Sequence, residues 1–182
     1  MSRHVIDTNV LIVASGEHRE SPFRSDNHPV EDPIEAEKVF EWLALFETGS
    51  ERMVIDSDWE IPNEYSNKLT DQDYGQRVFF EKLARNQVDF VDIAWDADPA
   101  HPVKVAVLNE PLKTVVHDLA DTKMVAACIK ANEDVPDCKI VNACDTDWYD
   151  WETELVAAGV HVHQVIDDWN KKNWKKRKQN EF

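Results

Sequence analysis

Glycine is scarce in this chain: four residues in 182, at Gly16, Gly49, Gly75 and Gly159, with none beside another. Phosphate loops of the GxGxxG or Walker type need clustered glycines, so most dinucleotide and nucleoside-triphosphate chemistry is excluded. The three cysteines, Cys128, Cys138 and Cys144, form no CxxC pair and no disulfide framework. They read as small buried apolar residues of a reducing compartment. Long hydrophobic runs are also missing. The apolar stretch 5–14 is interrupted by Asp7 and Asn9, and is too short and polar for a secretory or membrane segment. The expectation is a cytoplasmic protein with no membrane partner. Positive charge is short as well, with 20 Lys and Arg against 36 Asp and Glu, a net −16. Six of the 20 (Lys171, Lys172, Lys175, Lys176, Arg177 and Lys178) lie in the last twelve residues, which leaves −21 on residues 1–170. A body so acidic excludes a generic nucleic-acid coat, because phosphate is repelled over most of its surface.

What remains is a globule. Apolar residues make up 42% of the chain and include seven Trp. A chain this long buries roughly 70% of its unfolded surface, enough for one domain. Residues 4–7 read as a short buried strand ending in an acid, followed by a helix from Thr8 to Ala14. The polar segment 15–32 reads as an exposed loop. Asp32, Pro33 and Glu35 mark the start of a helix that Gly49 ends. Residues 53–56 are a second strand ending in an acid, and 58–69 and 71–86 two more helices. Strand candidates 88–93 and 103–108 flank a Pro-punctuated connection, 96–102. A helix starts at Leu119 or Asp121 and runs to Ala131. The strand 139–143, a helix 148–158 closed by Gly159, and the strand 160–165 follow. Alternating strands and helices predict an α/β class, a three-layer α/β/α sandwich with a mainly parallel central sheet. We divide the chain into a domain over 1–166 and a basic C-terminal helix or tail over 167–182.

The acids fall at informative places. Asp7 ends the first strand, Asp145 and Asp147 follow the strand 139–143, and Asp118 and Asp121 precede or open a helix. In an open parallel sheet the carboxyl ends of strands share one edge, where ligands bind. Carboxylates gathered there repel one another unless a cation joins them. Mg²⁺ or Mn²⁺ prefers such oxygen donors and shares them with substrate phosphate, which points to metal-assisted phosphoester hydrolysis. An acid opening a helix also serves as a cap, and that reading stands beside the ligand reading for Asp118 and Asp121. Asp56 and Asp58 read as loop or cap residues.

At these residues the chain resembles the PIN-domain nucleases, a family that includes toxin ribonucleases of toxin–antitoxin pairs. The segment 5–12, Val-Ile-Asp-Thr-Asn-Val-Leu-Ile, is similar to the family's opening strand and turn. Ile61-Pro62-Asn63-Glu64-Tyr65 resembles its second motif, and Asp121-Thr122-Lys123-Met124 its third. The segment 140–148, ending Asp145-Thr146-Asp147-Trp148, resembles its fourth. The resemblance implies a metal cluster of Asp7, Glu64, Asp121 and Asp145, with Asp147 an additional ligand or supporting acid. It implies that Asn9 orients the first aspartate or the attacking water, while Asp118 competes with Asp121 for the third place. The implied reaction is endonucleolytic hydrolysis that leaves a 5′-phosphate and a 3′-hydroxyl, with RNA ahead of DNA as substrate. Ala143 stands where the family commonly has a hydroxyl residue, and segments 15–32 and 94–117 are longer than in the compact toxins.

Two alternatives stand beside it. A Mg²⁺-dependent phosphatase of the haloacid-dehalogenase type also begins with an acid after a strand, but wants a second acid where this chain has Asn9, and a distal Lys. A non-catalytic PIN-fold binding module would dock a basic partner or inhibitor protein on its acidic face, and a homodimer is a further expectation. Lys171, Lys172, Lys175 and Lys176 are candidate substrate-binding residues, since substrate must be guided past an acidic body. His161 and His163 share a strand face without an evident third metal ligand. His117 reads as packed or capping, or as a phosphate contact. Trp169 and Trp174 read as pins of a tail helix, with base stacking as the alternative.

Overall fold

The structure, a computed structural model, describes residues 2–17, 29–97 and 104–180. Most of the expected loop 15–32, and 98–102 of the connection 96–102, lie outside these residues. The central sheet has five parallel strands, as the alternation predicted: β1 (Arg3–Ile6), β2 (Arg52–Asp56), β3 (Val88–Val91), β6 (Cys138–Asn142) and β7 (Val162–Gln164). Their order is β3-β2-β1-β6-β7, and every pairing is parallel. The strands are short apolar runs, Val5-Ile6, Met53-Val54-Ile55 and Ile140-Val141, all fully buried, as strands covered on both faces must be.

Between them run α1 (Thr8–Glu17) and α2 (Pro33–Thr48), α3 (Glu60–Lys68) and α4 (Tyr74–Ala84), and α6 (Leu119–Asn132). The expected start of α2 is observed: Asp32 accepts the Ile34 N–H at 3.0 Å and Pro33 occupies the first turn. Helix α1 runs three residues past Ala14, so 15–17 are helical and not loop. Its buried Ser15 hydroxyl donates to the Leu11 carbonyl at 2.7 Å and accepts the Gly75 N–H at 2.8 Å. Gly75 lies so close to α1 that a Cβ there would sit 2.6 Å from the Leu11 carbonyl oxygen. Glycine is therefore required where α1 and α4 cross.

Two expectations change. The strand expected at 103–108 is β5 (Lys104–Ala106), and it does not join the central sheet. It pairs antiparallel with β4 (Trp95–Ala97) in a separate ribbon. Of Lys104-Val105-Ala106 only Ala106 is buried, and the strand packs against α6. The helix expected at 148–158 is broken at Trp151 into α7 (Asp147–Asp150) and α8 (Glu152–Ala157), and Gly159, at φ 77°, closes the second. A short helix, α5 (Leu112–Val115), follows Pro111. The basic segment is helix α9 (Asp167–Asn180).

The order of the sheet positions the site. From β1 the chain steps outward through β2 to β3, then returns beyond β1 to β6 and β7. With the right-handed crossovers usual for parallel strands, this order puts helices on both faces, and the direction of winding reverses between β1 and β6. The carboxyl ends of those two strands flank the topological switch point, the crevice where open α/β sheets bind ligands.

Candidate metal centre

Asp7 follows β1, Asp145 follows β6, and Asp121 lies in the first turn of α6. Each offers a carboxylate oxygen within 4.8 Å of the other two, and Asp7 and Asp121 are buried. Asp7 thus meets two acids more than a hundred residues further along the chain at the switch point.

Asp7 is held at both oxygens. Its Oδ1 accepts the Asn9 N–H at 3.1 Å, and its Oδ2 accepts the indole Nε1–H of the buried Trp148 at 2.8 Å. Asp145 Oδ1 accepts the Asp147 N–H at 2.8 Å. The loop that carries Asp145 is built around the fully buried Asn142. Its Oδ1 accepts from Asp145 N–H and from Asn9 Nδ2, at 3.0 and 2.9 Å. Its Nδ2 donates to the Asp145 carbonyl and to Gln164 Oε1, at 2.7 and 2.6 Å. Asn9 Oδ1 accepts the Ala143 N–H at 2.8 Å, so one side chain staples the end of β1 to the end of β6. Ala143 itself contributes only backbone, its carbonyl accepting from the buried Asn170 of α9 at 2.7 Å.

Electrostatically the three acids are strained. Burial pushes the Asp7 carboxyl up to about 7, and the charges of Asp145 and Glu64 add to it against the hydrogen bonds from Asn9 and Trp148. Asp121 is pushed up to about 9 by burial first, then by Asp7, Asp145, Asp118 and Glu64. Asp145 is raised by burial and Asp118, while Arg177 pulls it down. Three hard oxygen donors, two of them buried and none neutralised by another, fit a divalent cation.

The other expected site residues have different partners. Glu64 Oε1 accepts from Thr8 Oγ1 at 2.5 Å, and its Oε2 pairs with the Lys123 ammonium at 2.6 Å. It borders the trio without joining it. Asp147 pairs with Arg177 of α9, which also holds Asp150. Asp118 caps α6, accepting the Ala120 N–H at 2.7 Å, so Asp121 and not Asp118 stands in the cluster. Asp56 is a cap too, accepting Glu60 and Ile61 N–H groups, and Asp58 holds Trp95 and Lys104 of the ribbon. Lys171 pairs with Asp167 one turn back, while Lys172, Lys175 and Lys176 are exposed.

Trp174 donates to Asp150 at 2.7 Å and Trp169 packs on the core, so both pin α9 as expected. Among the described residues the histidines join no metal-ligating group. Cys144, beside the trio, is raised to about 12 by burial and then by Asp7 and Asp145, which keeps it a thiol and no nucleophile.

Sequence reading missed Trp148, Lys123, Arg177 and Asn142. Trp148 carried a signal, since an aromatic directly after Asp-x-Asp belongs to the fourth motif. Lys123, two residues from Asp121, points to no partner in sequence. No helix among the described residues is long and apolar enough to cross a membrane. No family model, curated protein or solved structure matches this chain.

Proposed function

We propose that this protein is a metal-dependent endonuclease that hydrolyses phosphodiester bonds, with single-stranded RNA as its substrate and Mg²⁺ or Mn²⁺ as its cofactor. The observation that carries the reading is the convergence of Asp7, Asp121 and Asp145 at the switch point of a parallel sheet. The order of the PIN-like motifs along the chain agrees with it.

Asp7, Asp121 and Asp145 would hold the cation. When bound, it supplies charge neutralisation at the scissile phosphate and a more acidic water. Trp148 and the Asn9 backbone fix the plane of the Asp7 carboxylate, and Asn142 sets the position of Asp145. Lys123 holds Glu64 beside the trio, where its charge is balanced until the site fills. Water adds to phosphorus and the P–O3′ bond breaks, leaving a 5′-phosphate and a 3′-hydroxyl.

The α9 lysines supply what the acidic body lacks. Arg177 ties this helix to Asp147, two residues from Asp145, so the exposed Lys172, Lys175 and Lys176 belong to a helix anchored beside the site. A phosphate backbone gains its attraction there.

The phosphatase alternative wants a second acid at position 9. Asn9 stands there instead, with its side chain engaged by Asn142 and the Ala143 N–H.

The test is cleavage of end-labelled single-stranded RNA and DNA by purified protein with Mn²⁺ or Mg²⁺. Cutting of RNA that EDTA, Asp7→Asn and Asp145→Asn each abolish is the expected result. Hydrolysis of a generic phosphate ester with no cutting of either strand would transfer the site to the phosphatase class. Inertness on all of them would leave a binding module.

A further inference from the structure

The β4–β5 ribbon and the start of α6 line a cleft of about 330 Å³. Val107 and Leu119 line it, 46% and 49% exposed, with the buried Val116 as a third apolar wall. Asp96, Lys113, His117 and Thr122 supply its polar groups. Leu119 and Thr122 flank Asp121 in the first turn of α6, so the cleft and the trio share that turn although none of the three acids lines the cleft. The ribbon is fixed in place: Trp95 Nε1 donates to Asp58 at 2.7 Å, Lys104 pairs with Asp58 and Glu60, and the Val107 N–H donates to the Ala94 carbonyl at 2.8 Å. The site is therefore built on anchored elements, with apolar walls left open to solvent.

We infer that this cleft seats one unstacked nucleobase of the substrate, from the nucleotide next to the scissile phosphate, and that it selects guanine; the inference rests on the nuclease reading. Its volume lies at the small end of ligand sites, enough for one nucleoside and too little for a base pair. Single-stranded RNA is read by splayed bases that stack on side chains such as His and expose their hydrogen-bonding edges. His117 offers a stacking face and Val107 and Leu119 an apolar floor. Asp96 accepts N–H groups, and Lys113 donates to ring and carbonyl acceptors. Guanine alone presents N1–H and N2–H₂ side by side to one carboxylate, with O6 and N7 left for an ammonium. Uracil has a single N–H between two carbonyls and fits this pairing worst.

The test is a titration of GMP, AMP, CMP and UMP into the full chain in EDTA, followed by NMR shifts of ribbon and α6 amides. Without metal, this readout is independent of cleavage. GMP should saturate the cleft about tenfold more tightly than UMP, the ratio expected of one good bidentate contact. Leu119→Glu, an exposed position, should weaken GMP binding at least about tenfold by filling the cleft and repelling phosphate. Asp96→Asn should bring GMP and UMP to within about threefold of each other while the other contacts remain. No saturation by any nucleotide at millimolar concentration overturns the inference, as does equal GMP binding by Leu119→Glu and wild type. If RNA is cut without base preference and GMP does not bind, the cleft assignment falls and the nuclease reading stands. If GMP binds as described and no strand is cut, the cleft stands as a nucleotide site and the nuclease reading falls.

Discussion

Trp148 Nε1 donates to Asp7 Oδ2 at 2.8 Å across 141 residues of sequence. The indole is buried, so this bond joins the segments 5–12 and 140–148 and fixes the first ligand of the proposed metal site. Trp148→Phe retains most of the apolar bulk and removes the donor. It should cost about 1.5–3 kcal/mol of stability, the scale for a hydrogen bond to a charged group. Mn²⁺ affinity should fall about 10–100-fold, as for other groups that orient ligands. Urea unfolding and calorimetric titration measure the two effects.

Lys123 and Glu64 form a largely buried ion pair next to the trio, at 2.6 Å. Lys123→Met leaves the Glu64 carboxylate uncompensated, which should destabilise the metal-free protein by about 3–5 kcal/mol. The same change adds negative charge beside the ligands, so Mn²⁺ should bind more tightly than to wild type. Opposite signs for stability and affinity separate this account from a purely structural role for the pair.

The metal-free protein should lose stability as pH rises. Asp7 and Asp121 are raised to about 7 and about 9 when folded, so the folded chain holds protons that the unfolded chain releases near pH 4. Their contribution is complete below pH 4 and is lost as pH climbs through 7 towards 9. The slope is about 1.4 kcal/mol per pH unit for each such proton. Saturating Mn²⁺ should remove the decline, and Asp121→Asn should raise the metal-free melting temperature at pH 8. The buried His4 opposes this on the acid side. Burial lowers its imidazole to about 4, so its own contribution falls as pH drops from about 6.5 towards 4. One His4 proton offsets only one of the two carboxyl protons, so melting curves in EDTA should still fall from pH 4 to 9, with the decline roughly halved below about pH 6.5 relative to the two carboxyls alone.

Gly75→Ala tests the packing that supports the site. The added Cβ would meet the backbone and Cβ of Leu11 at 2.6–2.8 Å. Overpacking against backbone should cost about 1–3 kcal/mol or more, read as a lower urea midpoint. Mn²⁺ affinity of the remaining folded protein should not change.

The parallel sheet was legible because its strands are short apolar runs, and Asp7 because a carboxylate closing such a run needs a partner. Asp145 and Asp121 were legible from motif order, although choosing Asp121 over Asp118 required the cap geometry: Asp118 bonds the Ala120 N–H and Asp121 faces the other acids. The ribbon was misread because a strand of three residues, Lys104-Val105-Ala106, is too short to show in sequence whether it extends a sheet or pairs with three residues nearby. Glu64 and Asp147 were placed in the cluster by resemblance. Their ion pairs with Lys123 and Arg177 come from helices whose spacing in sequence gives no sign of the contact. The −16 charge pointed away from nucleic acid, and the anchoring of the basic helix α9 to Asp147, two residues from Asp145, had no sign in sequence.

The most direct test of the metal site is calorimetric titration of Mn²⁺ into the full chain at pH 8, beside Asp7→Asn, with circular dichroism to show that the variant is folded. The account predicts saturable binding by wild type, and at least about a hundredfold weaker binding by folded Asp7→Asn. Failure of wild type to bind Mn²⁺ at millimolar concentration, or equal binding by both proteins, would contradict it.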